Sequence, residues 1–295
     1  MRPSLTVVSL NTESGSRPGF HDSLNQLVTD FSPDVLMLQE VHQAYDIFVP
    51  ETFMPADPGK RAYPMRLKLF NEMTQLLEFG YNAFYAPHLF GLHDIEESPH
   101  NVGYGQAVFV KRDTWTVSMY HTGMIFGKFN EFNQEKVGGK PSAKAALSLR
   151  LQNSNLSKQV VLTNVHGFWS RHGKIDLWNR YRQNKGINTH GLALCARGIK
   201  PYIMVSGDLN YRRDMKALEH LRRQPLFGAD GGVILNRQDD WKIHSTRTAH
   251  YANREAEPDA DYLIACRDLT EKVVHVKVRM DFPSDHAPLI VRFVF

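Results

Sequence analysis

Short apolar runs recur along this chain of 295 residues, and each stops abruptly at a polar residue. Leu5 to Leu10 stops at Asn11, and Val35 to Leu38 runs into Gln39 and Glu40. Val160 to Val165 stops at His166, and Tyr202 to Ser206 at Gly207-Asp208. Runs this short and this apolar predict strands buried on both faces, with the polar residues at the edge of the core. Elsewhere the apolar period is helical. Phe20, Leu24, Leu27, Val28 and Phe31 share one face, and Met65, Leu69, Met73, Leu76 and Leu77 share another. Two more helices are expected over Leu177 to Leu194 and Asp214 to Leu221. Further strands are expected at Tyr81 to Tyr85, Gln106 to Val110, Val117 to Tyr120, Ala145 to Leu151, Tyr262 to Ala265, Val273 to Val278 and Leu289 to Phe295. Helices interleaved with this many strands predict an α/β fold.

The chain is 42% hydrophobic, enough for a large core. No Ser/Gly linker, low-complexity tract or repeat divides it, so one domain is expected over 1–295. The formal charge of +4 permits a polyanionic partner without demanding one. Cys195 and Cys266 lack metal-ligand spacing and suit buried thiols in a reducing compartment. There is no signal-peptide stretch and no membrane-spanning run. The expectation is a cytoplasmic protein with no stable membrane association and no obligate protein partner. Long loops are expected at Tyr45 to Pro64, Ala86 to Tyr104, Gly127 to Ser142 and Asn236 to Ala260.

Six segments carry polar chemistry at strand ends. They are Ser9-Leu10-Asn11, Leu38-Gln39-Glu40, Thr163-Asn164-Val165-His166, Ser206-Gly207-Asp208-Leu209-Asn210, Ala260-Asp261-Tyr262 and Ser284-Asp285-His286. In this order the chain, from Leu5 to Phe295, resembles the metal-dependent endonuclease/exonuclease/phosphatase superfamily, including its uncharacterised bacterial members. Members of that superfamily cleave phosphate esters. The resemblance implies a four-layer α/β sandwich, with two packed mixed β-sheets flanked by helices.

Cleaving a phosphate ester requires that charge on the phosphate be offset, water activated and the leaving oxygen stabilised. Mg²⁺, for which Mn²⁺ can substitute, takes hard oxygen ligands and keeps several waters, so one or two carboxylates suffice to hold it. Glu40 and Asp285 are the candidates, with Asn11 supplying an amide oxygen or bonding a metal-bound water. Glu40 in isolation reads as a solvated strand-end acid, but its place after an apolar strand suits a site. Asp208 and Asn210, two apart on an extended segment, point to one side. One suits the attacking water, the other the phosphate or a metal. Gly207 permits a close turn and lets backbone approach a ligand. An ordinary Gly-Asp turn is the plain alternative.

His286 titrates near neutrality and suits proton exchange. The resemblance gives Asp261 the task of orienting it. The resemblance also implies that His166 contacts the scissile phosphate, steadied by a carboxylate before an earlier strand. That earlier region reads Gly103-Tyr104-Gly105-Gln106 and holds no carboxylate. Asn164 reads either as a phosphate ligand or as a structural strand-end residue.

Trp169, Arg171, His172, Lys174, Trp178, Arg180, Tyr181, Arg182 and Lys185 mix basic and aromatic residues. They read as a nucleic-acid contact strip or as a solvated helix face with an Asp176–Arg180 ion pair. Arg212, Arg213, Lys216, Arg222 and Arg223 form a second basic cluster. Arg247 reads as a substrate-phosphate ligand or as a loop tie. His88, His93, Asp94, Glu96, Glu97 and His100 lack helical zinc spacing and a nearby cysteine.

The leading expectation is an Mg²⁺-dependent phosphodiesterase, a nuclease acting on DNA or RNA. The alternatives are a phosphatase or phospholipase C-like hydrolase of an inositol, sugar or lipid phosphate, and a catalytically inactive interaction module. Retention of Asp208, Asp285 and His286 speaks against the last.

Overall fold

The computed structural model describes residues 2–47, 49–54, 63–90, 101–129, 143–169, 174–195, 200–237, 241, 243, 245–251 and 259–295. In chain order the strands begin with β1 (Ser4–Asn11), β2 (Val35–Ala44), β3 (Thr52–Phe53), β4 (Met65–Arg66) and β5 (Tyr81–Phe90). Then come β6 (Val102–Lys111), β7 (Thr116–Phe126), β8 (Lys144–Gln152), β9 (Val160–His166) and β10 (Tyr202–Asp208). The last are β11 (Gly232–Ile234), β12 (Asp261–Cys266), β13 (Val273–Val278) and β14 (Leu289–Val294). The helices are α1 (Phe20–Phe31), α2 (Leu69–Leu77), α3 (Trp178–Ala193), α4 (Lys216–Arg222) and α5 (Arg267–Thr270).

Two six-stranded mixed sheets form the centre, in the orders β13-β14-β1-β2-β6-β5 and β11-β12-β10-β9-β8-β7. Each contains one parallel pair, β1 with β2 and β9 with β10. Alternation along the strands builds the layers. Leu5 and Val7 of β1 and Val35 and Met37 of β2 pack towards the second sheet. Val8, Leu10, Leu36 and Leu38 pack outward against Phe20, Leu24 and Leu27 of α1 and Met73 of α2. On the far side, Ile187 of α3 and Leu218 and Leu221 of α4 cover the second sheet. The expected sandwich of two sheets flanked by helices is therefore present. Both faces of the central strands are buried, which is why they read as unbroken apolar runs.

Several elements run longer than expected. Residues 86–90 and 102–104, expected in a loop, belong to β5 and β6, and β7 runs to Phe126. Most of the other expected loop residues lie outside the described ones. Among the described residues no helix is long and apolar enough to cross a membrane.

Candidate active site

The ends of β1, β9 and β10 meet a bulge within β2 at one edge of the sandwich. Asn11 closes β1, and its Nδ2 donates both to Asp208 Oδ2 (3.0 Å), at the end of β10, and to Glu40 Oε1 (3.2 Å). Two residues far apart in sequence and on different sheets are thereby joined through one amide. The oxygen of Asn11, expected as a metal ligand, instead accepts from the backbone N–H of Glu13 (3.0 Å).

Glu40 reaches the site through a β-bulge. Gln39 pairs with Gln106 and Val41 with Gly105, so Glu40 is the extra residue. Its φ of 57° is left-handed, a strained setting for a residue with a Cβ. Thr12 Oγ1 donates to the carbonyls of Gln39 and Glu40 (both 3.0 Å) and pins the bulge to the end of β1. A bulge turns one side chain away from the alternation of its strand, here towards the second sheet.

The Ser284-Asp285-His286 turn precedes β14 and is hooked to β1 by Ser284 Oγ, which donates to Asn11 O (2.9 Å). His286 Nδ1 lies 2.8 Å from Asp261 Oδ2, at the start of β12. That bond fixes a proton on Nδ1 and leaves Nε2 facing the site. Nε2 lies 3.5 Å from Asp208 Oδ2 and 3.6 Å from Asp285 Oδ1. Burial and Arg247 oppose charge on the ring, but Asp261, Asp285 and Asp208 outweigh them and raise its pKa to about 9. Arg247 Nη1 also donates to Nε2, an arrangement open only to the neutral ring. The arginine contact and a proton on Nε2 are thus alternatives at one atom. Burial pushes the Asp208 carboxyl up, but His286, Arg247, His166 and Lys174 outweigh it and hold the group below its ordinary value. Among the described residues, Asp208, Asp261 and His286 form the one group of three whose ligand atoms lie within 4.8 Å of one another.

Arg247, left open between substrate contact and loop tie, lies inside this cluster. Its Nη1 donates to Asp285 Oδ2 (3.1 Å), and its guanidinium stacks 4.2 Å from the Tyr251 ring centroid. Its neighbours staple the site turns together. Thr246 Oγ1 accepts from the amides of Ala260 (3.1 Å) and Asp261 (3.2 Å), and the backbone of Arg247 bridges that of His286.

His166 ends β9, and its Nε2 lies 3.7 Å from Glu40 Oε1. Beside that carboxylate the ring also meets a lysine. Lys144 Nζ lies 3.4 Å from Nε2 and 3.5 Å from Nδ1. Burial and then Lys144 lower the His166 pKa to about 4, so the ring is neutral at ordinary pH. Gln106 turns elsewhere, donating to Ala145 O (2.6 Å).

Other expectations are redrawn. Asn164 is fully buried, and its amide spans the two sheets, with Oδ1 accepting from Gln39 (2.6 Å) and Nδ2 donating to Leu38 O and Ala107 O. That is the structural alternative, not phosphate contact. Asn210 does not continue an extended segment. Strand β10 stops at Asp208, Asn210 has φ 55°, and its Nδ2 donates to Gly167 O (3.3 Å). Gly207 makes its close approach to protein backbone: a Cβ there would lie 2.0 Å from Val165 O.

The basic strip divides. Arg180 is 0% exposed and donates to the carbonyls of Ile175, Phe168 and Asn210. Asp176, its expected ion-pair partner, accepts instead from the amides of Lys216 and Ala217. Lys174 is buried, with Nζ donating to Asp259 O. Arg171 and His172 lie outside the described residues. Arg213 pairs with buried Asp259, whereas Trp178 is 69% exposed and stacks on Tyr181. Of the residues weighed for zinc, His93, Asp94, Glu96, Glu97 and His100 lie outside the described ones.

Glu13 was not foreseen. Its Oε2 accepts from the Asp285 amide (3.1 Å), its carboxylate pairs with Arg17, and burial with the nearby Asp285 raises its pKa. Its position two residues beyond Asn11 was the one available signal.

A sequence model described as the Endonuclease/Exonuclease/phosphatase family matches residues 8–286. No curated protein sequence matches the chain. Among solved structures, the fold is similar to an endonuclease/exonuclease/phosphatase family protein from Bacteroides thetaiotaomicron. The two share 15% identity and a TM-score of 0.69 over 100% of this chain and 96% of that one. A mannosyl-6-phosphatase from the same organism aligns at 16% identity and TM-score 0.62, over 99% of this chain and 100% of the other. A humanized TDP2 of D. rerio aligns at 14% identity and TM-score 0.60, over 98% of each chain.

Proposed function

The chain belongs to the endonuclease/exonuclease/phosphatase family, and from that premise we propose that it is a divalent-metal-dependent phosphoric ester hydrolase. The observation that carries this reading is the chain of contacts Asp261–His286–Asp208–Asn11–Glu40, which gathers strand ends of both sheets at one point. Because the site draws on residues as far apart as Asn11 and His286, the reading also treats 1–295 as one domain.

The donor set suits a hard cation. Glu40 and Asp285 carry oxygen ligands and have partly open side chains, 19% and 22% exposed. They would hold Mg²⁺ or Mn²⁺, with Asn11 keeping Glu40 and Asp208 in register. When bound, the cation would supply charge to offset that of the phosphate oxygens. The remaining roles fall to side chains. Asp208 accepts a proton from the attacking water, and Asn210 fixes Asp208 through its backbone N–H on Oδ1 (2.9 Å). His286 exchanges a proton at Nε2 while Asp261 holds Nδ1. His166, kept neutral, donates a hydrogen bond to a phosphate oxygen. Arg247 leaves Nε2 when substrate arrives and takes a phosphate oxygen in exchange.

A nuclease, the leading expectation from the sequence, becomes the second reading. The exposed Trp178 stacked on Tyr181, with Arg182 beside them, offers a platform for bases. Against it, Arg180 and Lys174 are committed to protein carbonyls. The test is hydrolysis by the purified protein, with Mg²⁺ and with EDTA, of plasmid DNA, single-stranded DNA, RNA, inositol phosphates, sugar phosphates and sphingomyelin. Turnover of one class that EDTA and Asp208→Asn both abolish is expected. Turnover that survives EDTA sinks the metal assignment. Turnover that survives Asp208→Asn sinks the base.

A further inference from the structure

One corner of the site gathers cationic and neutral donors beside the Glu40 carboxylate, which lies 3.7 Å from His166 Nε2. Lys144 opens β8, which runs antiparallel to β9, so its side chain stands beside the end of β9 and against His166. It is 4% exposed. The third member comes from a second bulge. In β5, Pro87 pairs with Gly105 and Leu89 with Tyr104, so His88 is the extra residue. The bulge at Glu40 faces the same Gly105 from the other side of β6. A Cβ at Gly105 would lie 2.1 Å from Ala86 O, so the glycine permits this crowding. Two bulges facing one residue turn Glu40 and His88 towards a common corner.

His88 is fully buried, yet among the described residues neither ring nitrogen has a hydrogen-bond partner. Its ring packs edge-on against Tyr104 (5.1 Å) and His166 (6.1 Å). A buried polar group without a partner costs about 1–3 kcal/mol, so such groups persist where something else satisfies them. Around His88 the corner offers the Lys144 ammonium and the His166 imidazole, both able to donate, beside the Glu40 carboxylate that would hold the cation. Donors converging beside a phosphoryl site suit an anionic oxygen.

We propose that Lys144, with His166 and His88, forms an oxyanion pocket for the scissile phosphate, and that its extra positive charge selects a dianionic phosphate monoester over a monoanionic diester. The inference deepens the hydrolase reading by naming its substrate class. A monoester presents one more charged, unesterified oxygen than a diester. A buried ammonium within hydrogen-bond reach of that oxygen is felt strongly, because little water screens it. An ester carbon on that oxygen removes both the charge and an acceptor.

The experiment compares wild type, Lys144→Met and His88→Phe in the full chain without added metal. Calorimetry measures binding of inorganic phosphate at pH 8 and of dimethyl phosphate. Wild type is expected to bind inorganic phosphate at least tenfold more tightly. Lys144→Met should lose most of that preference, and His88→Phe part of it, with melting temperatures showing that each variant is folded. If Lys144→Met folds poorly, Lys144→Gln takes its place. Equal affinity of wild type for the two anions, or an unchanged preference in the lysine variant, overturns the inference. A parallel assay with Mg²⁺ on p-nitrophenyl phosphate and bis-p-nitrophenyl phosphate tests the hydrolase reading separately. A protein that shows the Lys144-dependent preference but hydrolyses neither ester retains the pocket and loses the hydrolase reading. A protein that hydrolyses the diester faster than the monoester loses the selectivity claim even if phosphate binds.

Discussion

Replacing Arg180 separates its two possible uses. A surface contact to nucleic acid would lose affinity, whereas an internal brace would lose stability. Its Nε donates to Ile175 O at 2.9 Å, and its Nη1 to Phe168 O at 2.9 Å and Asn210 O at 2.8 Å. The guanidinium also lies 5.4 Å from the Tyr211 ring centroid and 5.9 Å from that of Phe168. Arg180→Ala deprives three carbonyls of a charged donor and opens a cavity between two rings. Each stranded group costs about 1–3 kcal/mol, and water entering the cavity recovers part of that. A net loss of about 3–5 kcal/mol is expected, the range for breaking a buried charged network. With a urea slope of about 3 kcal/mol/M, the midpoint of unfolding should fall by about 1–1.7 M. Arg180→Lys should recover little, because an ammonium cannot reproduce the planar fork. Urea titration followed by tryptophan fluorescence measures the shift. A midpoint within about 0.2 M of wild type, accompanied by weaker oligonucleotide binding, refutes the brace.

Three further outcomes follow from the site and its supports. Asp261→Asn removes the acid that holds Nδ1 of His286, 2.8 Å away. It should lower kcat by about a hundredfold or more, within the usual range for lost acid–base catalysis. Because that acid raises the histidine, the basic limb of the kcat–pH profile should move to lower pH; an unmoved limb assigns it to another group. Gly207→Ala places a Cβ 2.0 Å from Val165 O at φ 137°, so thermal melting should show a protein destabilised by several kcal/mol or unfolded. His190 packs flat on His121 (centroids 4.4 Å), and burial with that neighbour lowers its pKa to about 4. The unfolded chain therefore takes up its proton first as pH falls. This contribution is complete above about pH 6.5 and is lost between there and pH 4, about 1–2 kcal/mol after allowing for solvent at the ring. Denaturant titrations at pH 7 and pH 4.5 should show a smaller acid loss in His190→Leu, and an equal loss contradicts the assignment.

Where the sequence was legible, one periodicity carried the message. Leu5 to Leu10 and Val35 to Leu38 are apolar on both faces because a sheet covers one and a helix the other, and their ends mark the site edge. Asp208 closes one such strand and His286 stands just before another, so both fall at that edge. Arg180 and Lys174 misled because composition does not encode direction. A basic residue on a polar helix reads as solvated until the chain folds back over it, and carbonyls from three segments do so here. Asn164 sits on a core face of β9, and its partners come from the opposite sheet, at sequence distances that no local pattern spans.

The two bulges explain why the facing of Glu40 and His88 was not legible in the sequence. In a regular strand, facing is fixed by parity, so Glu40 would follow Leu36 and Leu38 towards α1 and away from the second sheet. The bulge breaks that parity at one residue, and its left-handed φ adds a strain of about 1–3 kcal/mol that the surrounding fold must sustain. The supports are specific. Thr12 ties the bulged carbonyls to β1, and Asn11 holds the carboxylate in line with Asp208. Nothing in Leu38-Gln39-Glu40-Val41 announces a bulge, because the instruction lies in Gly105 of the facing strand. The absent Cβ of Gly105 lets Ala86 come close, and a bulge stands opposite it on either side. Gly105→Ala should therefore disturb Glu40 and His88 together, although it touches neither in sequence.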